Sequence, residues 1–246
     1  MVGALQYYSN EADALVPANS IGTSYGYTVN GAIYGFNSWR IASNSTGSSS
    51  QSIVYMNGNS LNSDGVYYLY PAAPCFLEGT QILCHVDEKD VYLPIELLKP
   101  GTLVKTYLDG YKKVELLGKG TLSNPGNTER IEDRLYKCSP TAYPELTKDL
   151  FITGCHSILV KQLSEVQRTA TTKHLGRIFV TDKNYRLMAC LDERAEPWNS
   201  EGNYTIWHVA LENNDPRRNY GIYAEGLLVE SCSIEFLKNK SNMVIQ

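Results

Sequence analysis

Apolar and polar residues alternate along this chain in short runs of period two, and a sustained period of 3.6 is nearly absent. In the first quarter the runs are SYGYTVNGAIYGF (24–36) and QSIVYMNGN (51–59), broken by Asn-Gly at 30–31 and 57–58. Asn-Gly favours two-residue hairpin turns because both residues tolerate positive φ. From residue 75 onward the strand-like runs are TQILC (80–84), DVYLPI (90–95), TLVKTY (102–107), KKVELLG (112–118), LFITG (150–154), SILV (157–160), RIFV (177–180), YTIWHVAL (204–211) and YGIYAEGLLVE (220–230). Lys99-Pro100-Gly101 and Asp109-Gly110 are turn signals between them. KQLSEVQRTATT (161–172) predicts the one helix, and no repeat of solenoid or propeller length recurs. The pattern predicts an all-β chain.

Composition changes at about residue 74. Residues 1–74 hold four charged residues (Glu11, Asp13, Arg40, Asp64), no Cys and no His, but nine of the eighteen tyrosines. SNSTGSSSQS (43–52) reads as a polar loop, and YPAAP (70–74) as a stiff extended connector, since proline disfavours helix on both sides of itself. The expected organisation is a β-rich module over 1–74, a larger all-β domain over 75–235 and a tail over 236–246. The tyrosines of the module read either as a contact surface or as a consequence of strand propensity.

Charge excludes several functions. With 22 Lys+Arg against 26 Asp+Glu the net charge is −4, so the basic surface that nucleic acid or anionic lipid needs is missing. No apolar run is long enough to span a bilayer, and the first thirty residues lack a charged n-region with an apolar h-region. A secretory leader is therefore not expected. The six cysteines (Cys75, Cys84, Cys138, Cys155, Cys190, Cys232) contain no CxxC pair, and reduced thiols are expected rather than a disulfide framework. Cys84-His85 and Cys155-His156 are adjacent, and neighbours on a strand face opposite ways, so no metal and no cofactor is expected. Asp87, Glu88, Lys89 and Asp90 read as a solvated turn, and Gly118-Lys119-Gly120 lacks the spacing of a phosphate loop.

The most informative stretch is PCFLEGTQILCHVDEKDVYLPIELLKPGTLVKT, residues 74–106. Cys75-Phe76, Gly79-Thr80, Ile82, then Pro94-Ile95-Glu96, Leu98, Gly101 and Val104 resemble the opening of a Hint domain, the self-processing module of hedgehog proteins, inteins and bacterial intein-like elements. Phe151-Ile152-Thr153-Gly154-Cys155-His156 is similar to the T-x-x-H block of the same families. Trp207-His208-Val209-Ala210-Leu211 with Tyr223 to Cys232 resembles their closing strand pair. The resemblance covers roughly 74–233 and implies a horseshoe-like β domain built as two related halves. The serine-, asparagine-, glycine- and tyrosine-rich leader joined to such a domain ending in Val229-Glu230-Ser231-Cys232-Ser233 is similar to proteins of large DNA viruses or bacteriophage-like elements; that resemblance leaves a virion location open, and the missing signal peptide leaves an intracellular one open.

What the resemblance implies chemically follows from ordinary thiol reactivity. A thiol attacks the preceding peptide bond, here Pro74–Cys75, if it loses its proton while the departing amine gains one. Cys75 is the expected nucleophile, His156 the general acid at the amide nitrogen and Thr153 the group that orients the bond. His208 reads either as a helper in proton transfer or as a hydrogen-bonded strand residue. Cys155 and Cys232 read as neighbouring thiols of the site or as small buried residues. The product is a thioester resolved by water or another small nucleophile, with residues 1–74 as intramolecular substrate, in a single-turnover, cysteine-peptidase-like reaction. The segment Val229-Glu230-Ser231-Cys232-Ser233 has no Asn where an intein would cyclise one, so cleavage at the N-terminal junction is expected rather than splicing. Pro74, with its tertiary amide, alters the geometry at the scissile carbonyl. The alternative is a structural or binding protein, such as a virion or surface component, that keeps the scaffold without cleaving and makes contacts through residues 1–74.

Overall fold

The computed structural model describes residues 73–246 except 242 and, within residues 1–72, six short strands. The chain divides into two compact units, Met1–Pro71 and Ala72–Gln246. The strands of the first unit form three antiparallel pairs: β1 (Gln6–Tyr7) with β2 (Gly22–Thr23), β3 (Thr28–Val29) with β4 (Ala32–Ile33), and β5 (Arg40–Ser43) with β6 (Ser52–Tyr55). Val29 pairs with Ala32, which leaves two positions between β3 and β4, the spacing that Asn30-Gly31 predicts. The turn expected at 57–58 lies outside the described residues.

The second unit is all-β, with fifteen strands in one antiparallel sheet. In chain order these are β7 (Phe76–Leu77), β8 (Gln81–Val86), β9 (Lys89–Pro94), β10 (Leu103–Lys105), β11 (Tyr111–Asn124), β12 (Leu135–Cys138), β13 (Leu150–Thr153), β14 (Ser157–Val160), β15 (Val180–Thr181), β16 (Asn184–Met188), β17 (Glu196–Pro197), β18 (Gly202–Leu211), β19 (Gly221–Ala224), β20 (Leu227–Glu230) and β21 (Val244–Ile245). β11 joins the two ends of the sheet: its first residues pair with β10, and the rest pairs with β18 from Val114 to Asn124. The order runs β15-β16-β14-β20-β19-β8-β10 on one side of β11 and β18-β7-β13-β12-β17 on the other. A single apolar cluster, including Phe76, Ile82, Ile95, Val104, Ile152, Ile158, Trp207, Ile222 and Val229, draws on both sides.

The hairpins are tight. Asp87 and Glu88, with φ of 48° and 61°, turn β8 into β9, a shorter turn than the charged run 87–90 predicts because Lys89 and Asp90 pair in β9, and Asp182 and Lys183 turn β15 into β16 with φ of 49° and 61°. Successive positive φ values give the twist that matches the flanking strands. The helix occupies Glu165–Leu175 rather than 161–172. Its start is set by a capping box: Ser164 Oγ accepts from the Gln167 amide at 3.2 Å while Gln167 Oε1 accepts from the Ser164 amide at 3.0 Å. Gly176, at φ 74°, ends it. Of RIFV (177–180), Val180 alone joins a strand.

The segment read as a tail is packed structure. Ser233 caps a helix over Ile234–Asn239, accepting from the Phe236 amide at 3.2 Å. Leu237 is buried against Ala210 and Cys232, and Val244–Ile245 pairs with β11 at Gly118 and Lys119. The signal lay in the Ser cap followed by apolar residues at i and i+3, too short a run to separate from a polar terminus by periodicity. All six cysteines are free thiols. No helix among the described residues is long and apolar enough to cross a membrane.

Candidate functional site

Strand register assembles the site. β7 lies between β13 and β18, and Phe76 pairs with Ile152 on one side and Trp207 on the other. Antiparallel pairing then puts the preceding residue, Cys75, level with Thr153 and with His208. Three residues far apart in sequence thus meet on one rung. His156 joins them because the chain turns at Gly154-Cys155, with the His156 amide donating to the Thr153 carbonyl at 2.9 Å. That turn needs glycine: a Cβ on Gly154 would stand 2.4 Å from the Ile131 carbonyl oxygen and 2.8 Å from that of Glu132. Cys155-His156 therefore sits in this turn and not on a strand with alternating faces.

Thr153 holds both peptide groups around Pro74. Its Oγ1 accepts from the Cys75 amide at 2.8 Å and donates to the Ala73 carbonyl at 3.1 Å, while its own amide donates to the Cys75 carbonyl at 3.0 Å. The Ala73 carbonyl and the Cys75 amide converge on one hydroxyl, so the backbone is folded tightly about Pro74. Cys155 Sγ lies 3.4 Å from the same oxygen. The Cys75 thiol points the other way and donates to Met243 Sδ at 3.7 Å.

The imidazole of His156 packs beside that of His208 on this rung. Their ring centres are 5.2 Å apart, and Phe76 packs 4.3 Å from His156 and 5.6 Å from His208. His156 Nε2 lies 3.0 Å from the Glu230 carbonyl oxygen, which assigns the proton of the neutral ring to Nε2. The carbonyl is held because the Glu230 carboxylate is itself anchored, by Arg186 Nε at 2.7 Å and the Thr181 hydroxyl at 2.9 Å. His156 Nδ1, left with a lone pair, makes no hydrogen bond of good geometry among the described residues, though the Cys75 backbone lies close enough to favour its protonation slightly. Both nitrogens of His208 are buried and lack a partner among the described residues.

Burial makes the site electrically quiet. Cys75, His156 and His208 have no exposed surface, and Thr153 almost none. Burial pushes the Cys75 thiol well above its ordinary value, and the nearby Cys232 thiol adds to that. Burial lowers His156 to about 4, against the pull of the Glu230 and Cys75 backbone groups, and takes His208 well below its usual value, helped by His156. Cys155 retains some exposed area, and burial raises its thiol as well, against the Thr153 hydroxyl that lowers it. The resting site at neutral pH therefore contains neutral thiols and neutral imidazoles.

All four residues singled out in the sequence, Cys75, Thr153, His156 and His208, lie in this one cluster. Sequence reasoning missed the Glu230 carbonyl, because a backbone acceptor has no residue-type signature, and missed Met243, which lay in the presumed tail. Among the described residues no group of three or more His, Cys, Asp or Glu side chains is placed to hold a metal ion.

No family model matches the chain, and no curated protein matches it. Among solved structures the chain is similar to the TvoVMA intein, over 64% of this chain and 96% of that one, at 14% identity and a TM-score of 0.34. A likeness this loose carries no argument about function.

Proposed function

We propose that the second unit is a Hint-type self-cleaving module whose substrate is its own Pro74–Cys75 bond. The observation that carries this reading is the rung itself: the amide of that bond is clamped by Thr153 Oγ1 at 2.8 Å, on the residue that bears the thiol, beside a buried imidazole with a free lone pair. In the reaction Cys75 Sγ bonds to the Pro74 carbonyl carbon as its proton passes to Nδ1 of His156. The C–N bond then breaks as the departing nitrogen takes a proton from His156. The product is a thioester between Pro74 and the Cys75 side chain, with a free amine on Cys75. Water or another small nucleophile adds to the thioester, returns the thiol and releases residues 1–74 with a new carboxyl group or adduct. Thr153 fixes the geometry of the amide, and His208 serves as a second proton acceptor beside His156.

The pKa shifts bear on how fast this runs. Burial raises the thiol and lowers the imidazole, and both shifts disfavour proton transfer from Cys75 to His156. That cost precedes bond making, which fits a slow, single-turnover reaction. The same neutrality favours the second reading, a structural or binding protein in which the junction is kept intact and residues 1–74 contact a virion or surface partner.

Intact mass of the purified chain, incubated with and without hydroxylamine or dithiothreitol, separates the two. Self-cleavage gives one fragment ending at Pro74 and another beginning at Cys75, both lost in Cys75→Ala and slowed in His156→Ala. A full-length mass that survives prolonged exposure to either nucleophile refutes processing and leaves the structural reading.

A further inference from the structure

Met243 occupies an unusual place. It is the one described residue that the Cys75 thiol hydrogen-bonds, at 3.7 Å, and it packs against two separate small clusters. One contains Cys75, Leu135 and Ile206, the other Ala210, Cys232 and Leu237. Room for it comes from Gly118 on β11, where a Cβ would stand 3.2 Å from Met243 Cβ and Sδ and 2.7 Å from Leu237 Cδ1. The side chain therefore lies directly on β11 at Gly118, the residue that pairs with His208 of β18.

What holds Met243 there is slight. β21 pairs with β11 through only Gly118–Ile245 and Lys119–Val244, with one more bond from the Gln246 amide to the Leu117 carbonyl at 2.8 Å. Val244 is 69% exposed and Ile245 38%, so neither anchors the strand by burial. Short edge pairings with little buried apolar area sit at the low end of local stability and open far more often than the sheet they decorate. Against this, the thiol beneath is fully enclosed. A weakly held strap thus covers a strongly buried nucleophile.

We infer that Met243 is a positioning residue that parks the Cys75 thiol, and that the strap 243–246 is the gate through which an outside nucleophile reaches this thiol and the thioester made on it. The part concerning the thioester rests on the proposed function; access to the thiol does not. Closed, the strap directs the S–H toward Met243 and keeps solvent from the rung. Open, it frees the thiol to turn toward the Pro74 carbonyl and admits a small polar reactant. Methionine suits this position because its flexible thioether fills an irregular gap and accepts weakly from S–H.

The test uses the full chain and two readouts. Iodoacetamide labelling of Cys75, followed by peptide mass mapping at several pH values, reads access without requiring cleavage. Hydroxylamine-induced release of residues 1–74 reads the reaction. Met243→Ala should label Cys75 about ten-fold faster than wild type, while Met243→Leu, which restores volume without the sulfur acceptor, should label at close to the wild-type rate. If the wild-type chain cleaves, Met243→Ala should also release its fragment faster. Hydrogen exchange at the Gln246 amide should be faster than at the amides β11 shares with β18, whatever the variants do. Equal labelling in wild type and Met243→Ala, or Gln246 protection equal to that of β18, overturns the gate. Faster labelling with no fragment in any variant supports the gate and refutes the cleavage reading instead.

Discussion

His208→Phe should make the protein more stable and less reactive at once. The wild-type ring buries two nitrogens with no partner among the described residues, packed against Phe76 and His156. An unpaired buried polar group costs about 1–3 kcal/mol, so two on one ring cost about 2–6 kcal/mol. Phenylalanine keeps the aromatic contacts but adds volume, and overpacking takes back about 1 kcal/mol or more. The net expectation is a gain of about 2 kcal/mol at pH 7, or a Tm higher by about 4–8 °C for a domain of this size.

The pH dependence sharpens the same test. The folded-state pKa of His208 is depressed, so the unfolded chain binds a proton below about 6.5 that the folded chain does not. Wild type thus loses stability as pH falls below that value, by about 1.4 kcal/mol per pH unit for this histidine, and the Phe variant does not. At pH 5 the gap between them should widen to about 4 kcal/mol. His156, lowered to about 4, titrates alike in both chains and cancels in the comparison. The assay is urea unfolding at pH 7 and pH 5, both chains carrying Cys75→Ala so that neither is cut. A variant no more stable than wild type at pH 7, with a gap that stays constant to pH 5, refutes the unpaired-imidazole argument.

Other outcomes follow from the same geometry. Thr153→Ala strands the Cys75 amide and the Ala73 carbonyl, and should cost about 2 kcal/mol in urea unfolding while abolishing fragment release. Gly154→Ala drives a Cβ to 2.4 Å from the Ile131 carbonyl oxygen, so it should destabilise by about 3 kcal/mol or more and disorder the Thr153–His156 turn, seen as lost protection of the His156 amide. Fragment release should rise steadily from pH 7 to pH 9, because burial holds the Cys75 thiol protonated throughout that range. A rate that plateaus by pH 7 would contradict it. Below about pH 4, where His156 gains its proton, release should stop.

Much of the molecule was legible from local pattern. Period-two runs identified most strands of the second unit, and the charged run 87–90 marked the turn after β8, although only Asp87-Glu88 forms it and Lys89-Asp90 already belong to β9. Boundaries failed where a cap outweighed periodicity, as at Ser164, or where too few residues showed a period, as in the helix over Ile234–Asn239. The candidate site was legible from residue type and spacing together, since thiols and imidazoles are few and their spacing with Thr153 resembled a known module.

What residue identity could not supply was distance and state. Cys75, Thr153 and His208 share a rung because Phe76 pairs with Ile152 and Trp207 at once, and register is a property of three strands together. The neutrality of the thiol and both rings comes from burial, which depends on everything packed around them. The chemical repertoire of this protein was written in its sequence, but whether those groups meet, which nitrogen carries the proton and what stands guard over the thiol were decided by the tertiary structure. Electrostatic work and hydrogen-bond geometry depend on separation in space, which a linear order of residues does not specify.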